Sequence, residues 1–183
     1  MPAPARTSTE EVVAAGRRIL ERDGLEALTM QAIADAVGVR PPSLYKRVEG
    51  REGLVRLIAD SGAAELAEAL DEVVDGPDAA TDLRALAVVF RAFAHRNPAT
   101  YPLLFAPRLG GVSAAWRDRS ADAVRRVAGR LAGPEHELAA ARTVVAWANG
   151  FVTMELAGAF QLGGDVEEAW DYGLDALVGA LAG

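Results

Sequence analysis

The sequence predicts an all-α protein, and three observations carry that reading. Apolar residues recur three and four positions apart in segment after segment, the spacing of one helix face. No run alternates apolar and polar residues at the period of two that a half-buried strand shows. Asp23-Gly24, Asp75-Gly76-Pro77, Asn97-Pro98, Gly110-Gly111, Gly133-Pro134 and Gly163-Gly164 punctuate the periodic segments where helices should stop. With 183 residues, 51% of them hydrophobic, the chain can fill a real core unaided.

Helix one starts at Ser8-x-x-Glu11, a capping-box pattern before an apolar stripe at Val12, Gly16, Ile19 and Leu20. Asp23-Gly24 is its stop. Thr29 can cap a second helix through Val37, with Met30, Ile33 and Val37 on one face. Ala34 is small enough to let another helix approach, and Gly38 supplies the tight turn that follows.

The stretch VGVRPPSLYKRV then places two adjacent prolines in a short amphipathic segment. Proline breaks a helix only where its missing N–H or its ring interrupts the hydrogen-bond ladder. In the first turn those N–H groups have no intrahelical partner, so Pro41 at N1 and Pro42 at N2 start a helix. Arg40 precedes a proline and is pushed out of helical geometry, as an N-cap should be. On a helical wheel Leu44 and Val48 face inward, leaving Pro42, Ser43, Lys46 and Arg47 as a basic outer face.

A long helix from Arg51 to about Val74 follows, striped by Leu54, Leu57, Ile58, Leu66, Leu70 and Val73, with no linker before it. Further helices are expected near 79–96, 99–105, 113–131, 135–159 and 166–181, the last opened by Asp165-x-x-Glu168 with Asp in the cap position.

Composition excludes several functions. The chain has no cysteine, so disulfides, thiolate metal sites and cysteine nucleophiles are ruled out. The opening MPAPARTSTEE has no apolar core of a secretory signal, which leads to the expectation of a cytoplasmic protein. The longest apolar run, Val144 to Phe160, is short for a membrane span and contains Asn149 and Glu155, so a buried or dimer-forming helix is expected and no membrane partner. Net charge is −7, but residues 1–60 are neutral overall, and Arg40, Lys46, Arg47, Arg51 and Arg56 against Glu49 and Glu52 leave +3 within 40–56.

Two short helices joined by a glycine turn, the second with a compact basic face, form a helix-turn-helix that can set one helix in the DNA major groove. The stretch TMQAIADAVGVRPPSLYKRVEGREGLVRLI closely resembles the DNA-binding domain of TetR-family transcriptional regulators. The resemblance implies a helix-turn-helix DNA-binding domain over 1–50 and a helical effector-binding and dimerisation domain over 51–183. It implies that Thr29, Tyr45 and Lys46 contact operator phosphates and that Arg40, Pro42 and Ser43 occupy base-reading positions. Arg51 stands where the family commonly has a lysine, and its guanidinium can hold a phosphate bidentately. Val48 stands where a phenylalanine is common, reducing core volume without touching the DNA face. Arg40 can donate to guanine O6 and N7, Ser43 can donate or accept, and the Pro42 ring can pack on a thymine methyl. For Tyr45 a structural role, half buried against helix one, stays open beside the phosphate contact.

Ten of the eleven aromatic residues lie after residue 89. Such a bundle can hold an apolar cavity, and Phe90, Phe93, Tyr101, Phe105, Trp116, Trp147, Asn149 and Thr153 are the candidate lining of a site for a small apolar or aromatic effector. AWANGFVTMELAGAF resembles the regulatory domain of the TetR-like group named for a Trp-His-Gly signature, with Asn149 where the histidine usually stands. Asn149 and Thr153 share a helix face and either meet a ligand or satisfy each other, backbone carbonyls or water. By resemblance the last two helices pair with their copies in a homodimer, with Gly150, Ala157, Gly158 and Ala159 permitting close approach.

The expected function is therefore a ligand-responsive repressor that binds a palindromic operator in double-stranded DNA, with no cofactor or metal. A constitutive DNA-binding protein whose second domain only dimerises is the first alternative. An enzyme is the second, and the sequence gives it little. His95 and His136 lack metal-ligand spacing, and there is no GxSxG or GxxxxGK motif. Glu167, Glu168, Asp171 and Asp175 at the start and outer face of the last helix fit macrodipole and solvation.

Overall fold

The computed structural model describes residues 8–74, 76–106 and 111–183, without the side chains of Arg117 and Ser120. The expected turn positions Asp75 and Gly110, and the opening Met1–Thr7, lie outside the described residues. Of the described residues 75% are helical, and none is in a strand. The helices are α1 (Thr9–Asp23), α2 (Met30–Val37), α3 (Pro41–Leu44), α4 (Gly50–Asp71), α5 (Ala79–Arg96), α6 (Tyr101–Leu104), α7 (Ala114–Ala132), α8 (Glu137–Leu156) and α9 (Val166–Leu181). A 3-10 turn, Leu25–Ala27, joins α1 to α2.

Both halves of the capping box at α1 are made. The Ser8 hydroxyl accepts from the Glu11 N–H at 3.1 Å, and the Ser8 N–H donates to Glu11 Oε2 at 2.8 Å. Gly24 ends the helix at φ 80°, a conformation that costs other residues. At α9 the Asp165 carboxylate accepts from the Glu167 N–H at 2.8 Å, one residue earlier than the box pattern implies.

Three helices end sooner than periodicity suggests, α4 among them at Asp71 instead of about Val74. α8 stops at Leu156 because Gly158 turns left-handed at φ 62°, and the Ala159 and Gly158 N–H groups fold back onto the Met154 and Glu155 carbonyls at 2.9 Å each. α3 is only four residues, and beyond it the Arg47 and Val48 N–H groups both bond the Leu44 carbonyl, at 2.8 and 3.0 Å. With both amides closing onto one carbonyl, the expected helix to Val48 becomes a short helix and a tight turn.

The chain divides into two compact units. One runs through Ala63 and takes in Asn97–Trp116; the other holds Ala64–Arg96 and Arg117–Gly183. In the first, Val12, Leu20, Leu28, Ile33, Leu44, Leu54 and Ile58 are buried in one core that also includes Leu103 of α6. Polar anchors hold the α6 segment there. Glu21 accepts from the Ala99 and Thr100 N–H groups at 2.9 Å each, Arg17 donates to Asn97 Oδ1 at 2.8 Å, and Asp60 accepts from the Ser113 N–H at 2.7 Å.

In the second unit, Trp147, Phe151, Phe160 and Trp170 stack on one another, with centroid separations of 4.7 Å for Trp147–Trp170 and 4.8 Å for Phe151–Phe160. Arg130 satisfies the buried Asp82 at 2.6 Å while donating to the Val74 and Gly76 carbonyls, so the charge is paired as burial demands. Arg91 bridges α8 and α9, at 2.6 Å from Glu155 and 2.7 Å from Glu167, with its guanidinium 5.0 Å over the Trp170 ring.

Two predictions follow from this packing. A Cβ on Gly16 would lie 2.7 Å from Ile58 Cδ1, inside the core. Overpacking costs about 1–3 kcal/mol, whereas replacing glycine in a helix gains about 1 kcal/mol, so Gly16→Ala should lower the urea midpoint; an unchanged midpoint contradicts the close approach. The Arg91 guanidinium holds the Glu155 carboxyl below its ordinary 4.5, against the opposing effect of burial, and His95 at 3.1 Å adds to the depression. A folded-state pKa below the unfolded one stabilises above about 4.5 and is lost as pH falls through the folded value. Glu155→Gln should therefore cost roughly 1–3 kcal/mol at pH 7, with the deficit shrinking below pH 4.5 in denaturant melts.

Candidate nucleic-acid interface

The first unit builds its charged face from three local constraints. Thr29, extended at φ −113°, accepts the Ala32 N–H on its hydroxyl at 3.1 Å and opens α2. Gly38 closes α2 in the left-handed region at φ 71° and ψ 32°, with the Val39 N–H bonded to the Ala34 carbonyl at 2.9 Å. Arg40 is extended at φ −87° and ψ 144°, and its carbonyl accepts the Ser43 N–H at 2.9 Å, so the prolines occupy N1 and N2.

Leu44 and Val48 are 1% and 3% exposed, and their burial turns the rest of the segment outward. Arg40, Pro42, Ser43, Lys46 and Arg47 are exposed, and Tyr45 is 60% exposed. Thr29 and Arg51 are exposed as well, so the structure places all seven expected DNA-contact residues at the surface of one unit. Arg47 belongs with them. It lies on the expected basic face but was not among the expected contacts, and its place beside Lys46 was the available signal.

Three of these cations differ in ion pairing from six arginines of the second unit. Among the described residues, Arg40, Lys46 and Arg47 have no carboxylate within 4.0 Å. Arg84, Arg91, Arg119, Arg125, Arg126 and Arg130 each have one at 2.6–3.6 Å. Unpaired, exposed cations are what a phosphate backbone attracts, because binding releases condensed counterions without first breaking an internal ion pair. Arg51 is engaged differently from the phosphate contact implied for it: Nε donates to the Leu28 carbonyl at 3.0 Å and Nη2 to the Leu25 carbonyl at 2.7 Å.

The eight expected effector-lining residues divide between the two units. Tyr101, Phe105 and Trp116 group with the first unit, where Tyr101 is buried and its ring lies 5.4 Å from that of Phe105. The other five belong to the second. Phe90 and Trp147 border an apolar cavity of about 30 Å³ together with Leu70, Leu86, Ala87, Val124, Val144, Val145 and Ala148. That volume suits about one water molecule. Phe93 is fully buried, Asn149 half-buried, and Thr153 exposed on the outer side of α8. A larger open groove of about 700 Å³ lies along α5, α8 and α9, lined by the exposed Val88, the half-buried Ala92 and the buried Leu174 between charged residues. No helix among the described residues is long and apolar enough to cross a membrane.

Comparison with known proteins places these units. Residues 5–58 match the model of bacterial regulatory proteins of the tetR family, and residues 83–177 match that of the tetracyclin repressor-like C-terminal domain. A relative from Mycobacterium tuberculosis, the uncharacterized HTH-type transcriptional regulator Rv0681, is 28% identical over 159 residues, which is 85% of this chain and 73% of the relative. A protein with unknown function from Rhodococcus sp. RHA1 shares the fold with TM-score 0.81 at 23% identity, covering 99% of this chain and 97% of that one. A TetR variant from Acinetobacter baumannii AYE in complex with minocycline superposes with TM-score 0.69 at 21% identity, covering 92% and 93%. The match to the C-terminal model over more than half of the chain, together with the N-terminal match and the helix-turn-helix geometry, means that the protein belongs to the TetR family of bacterial transcriptional regulators.

Proposed function

We propose that the protein is a repressor that binds a palindromic operator as a homodimer and is released by a small-molecule effector, acting in the cytoplasm where its DNA lies. The domain roles follow the sequence: residues 1–50 bind DNA, and 51–183 bind effector and dimerise. The observation that carries the DNA reading is the set of exposed cations at Arg40, Lys46 and Arg47, none with a carboxylate within 4.0 Å among the described residues. Arg40, Pro42 and Ser43 at the start of α3 read base edges, while Thr29, Tyr45 and Lys46 hold phosphates and fix register.

Dimerisation is supported by the outward faces of the last two helices. α8 exposes Leu138, Ala139, Ala146, Gly150 and Met154, and α9 exposes Ala169, Tyr172, Ala176, Gly179 and Ala180. Tyr172 is 79% exposed in the single chain. Small and apolar residues on adjacent faces permit the close approach of a four-helix interface.

For the effector, the proposed seat is the apolar cavity beside Phe90 and Trp147. At about 30 Å³ it is far smaller than a small-molecule site of roughly 300–1,000 Å³. An effector of that size therefore binds an expanded bundle in preference to this one, which is the differential affinity that coupling requires. Leu70 lines the cavity and stands on the same unbroken helix, α4, as Arg51. Expansion at one end of α4 displaces its other end and separates the paired recognition helices. The TetR variant in complex with minocycline is a fold-level precedent for a bound small molecule in this architecture. The smallness of the cavity also favours a second reading, a constitutive DNA-binding protein whose second unit only dimerises.

Two measurements test these assignments. Lys46→Ala should weaken binding to matched and scrambled duplexes alike and flatten the slope of log K against log[salt] by about 0.9, whereas Arg40→Ala should change sequence preference by about 1–3 kcal/mol at one base pair; identical effects from both overturn the division of roles. A compound that binds the second unit should lower operator affinity roughly 5–150-fold at fixed salt. Binding that leaves operator affinity unchanged favours the constitutive reading.

A further inference from the structure

We infer that Arg51 is a positioning residue of the DNA face, a clasp that fastens the two ends of the reading segment, in place of a ligand to phosphate. The inference rests on the DNA-binding reading above. Between α1 and α2 the chain turns a corner: Gly24 at φ 80°, one 3-10 turn, then the fully buried Leu28 and the cap Thr29. The corner has few bonds of its own, from the Leu28 N–H to the Leu25 carbonyl at 3.2 Å and from the Thr29 N–H to the Ala27 carbonyl at 2.9 Å.

Arg51 reaches back from the first turn of α4 and donates to two different carbonyls of that corner, Leu28 at 3.0 Å through Nε and Leu25 at 2.7 Å through Nη2. Every expected contact from Thr29 to Lys46 lies between the joined positions, so the clasp closes a loop that contains the whole reading surface. Closing it fixes where the N-terminus of α2 stands relative to the start of α4. Two donors held in one rigid plane and aimed at separate carbonyls are a guanidinium property; an ammonium is a point charge on a flexible stem. Lysine at this position keeps the charge and loses the paired geometry. The distinction between clasp and phosphate ligand is therefore chemical and measurable.

The test uses the full-length protein with Arg51→Lys and Arg51→Ala, at a temperature where circular dichroism shows each variant folded. Amide hydrogen exchange without DNA reads the clasp directly: the Leu28 and Thr29 amides should exchange about tenfold faster in both variants, corresponding to one decade in the opening equilibrium. Operator titration by fluorescence anisotropy should show both variants about fivefold or more weaker, with the salt slope kept, where each lost phosphate contact would flatten it by about 0.9. Wild-type affinity for Arg51→Lys with a flattened slope for Arg51→Ala makes the residue a phosphate ligand and overturns the inference. Unchanged protection at Leu28 and Thr29 overturns it too. Should the unsubstituted protein bind no duplex at all, the DNA-binding reading fails, while the exchange measurement still decides whether the clasp holds the corner.

Discussion

The proposed DNA face depends on the burial of Leu44 and Val48. α3 contributes four helical residues, far too few to persist alone, since nucleating a helical turn is unfavourable until several residues follow it. Its two prolines supply a preset φ but remove two donors. What fixes this short helix is therefore tertiary: two apolar side chains, 1% and 3% exposed, set into the core that Val12, Ile33, Leu54 and Ile58 help to form. With those anchored, the intervening and flanking residues have only the outward direction available, and the basic side chains are presented as a consequence of packing.

Charge follows from the same division. An acidic chain of net −7 still concentrates positive charge, +3 over residues 40–56, because 17 of its 26 acids follow residue 60. In the second unit Arg91 and Arg130 act as internal connectors, tying α5 to α8 and α9 and filling the need of the buried Asp82. Those arginines have lost their freedom to meet a partner outside the chain. The chain also passes from one unit to the other along α4, returns after Arg96 and leaves again after Trp116. Covalent continuity thus supplies three routes by which a change in one unit can reach the other.

Much of the fold was legible because its signals are local. Ser8 with Glu11, Thr29, Gly38 and the paired prolines each determine a helix end through bonds to residues within four positions, and the structure shows them made. The parts that escaped prediction depend on distant residues or on exact backbone closure. The early stop of α8 needs Gly158 to turn left-handed, which its sequence neighbours did not single out among several small residues. The placement of Asn97–Trp116 with the first unit rests on Glu21, Arg17 and Asp60, between about fifty and eighty positions away. Aromatic richness after residue 89 suggested a bundle that can hold an apolar cavity without revealing that Trp147, Phe151, Phe160 and Trp170 pack on one another. At the DNA face, residue types indicated the surface correctly as basic, but nothing in them announced that Arg51 bonds two carbonyls.

The central claim is that a symmetric pair of chains presents this cationic edge to successive major grooves. Hydroxyl-radical footprinting of the purified protein on the DNA upstream of its own gene addresses that claim most directly. The account predicts two protected patches on one side of the duplex, related by a dyad and centred about 10 base pairs or a multiple of that apart. Uniform cleavage along the duplex at low salt, or a single protected patch without dyad symmetry, would contradict it.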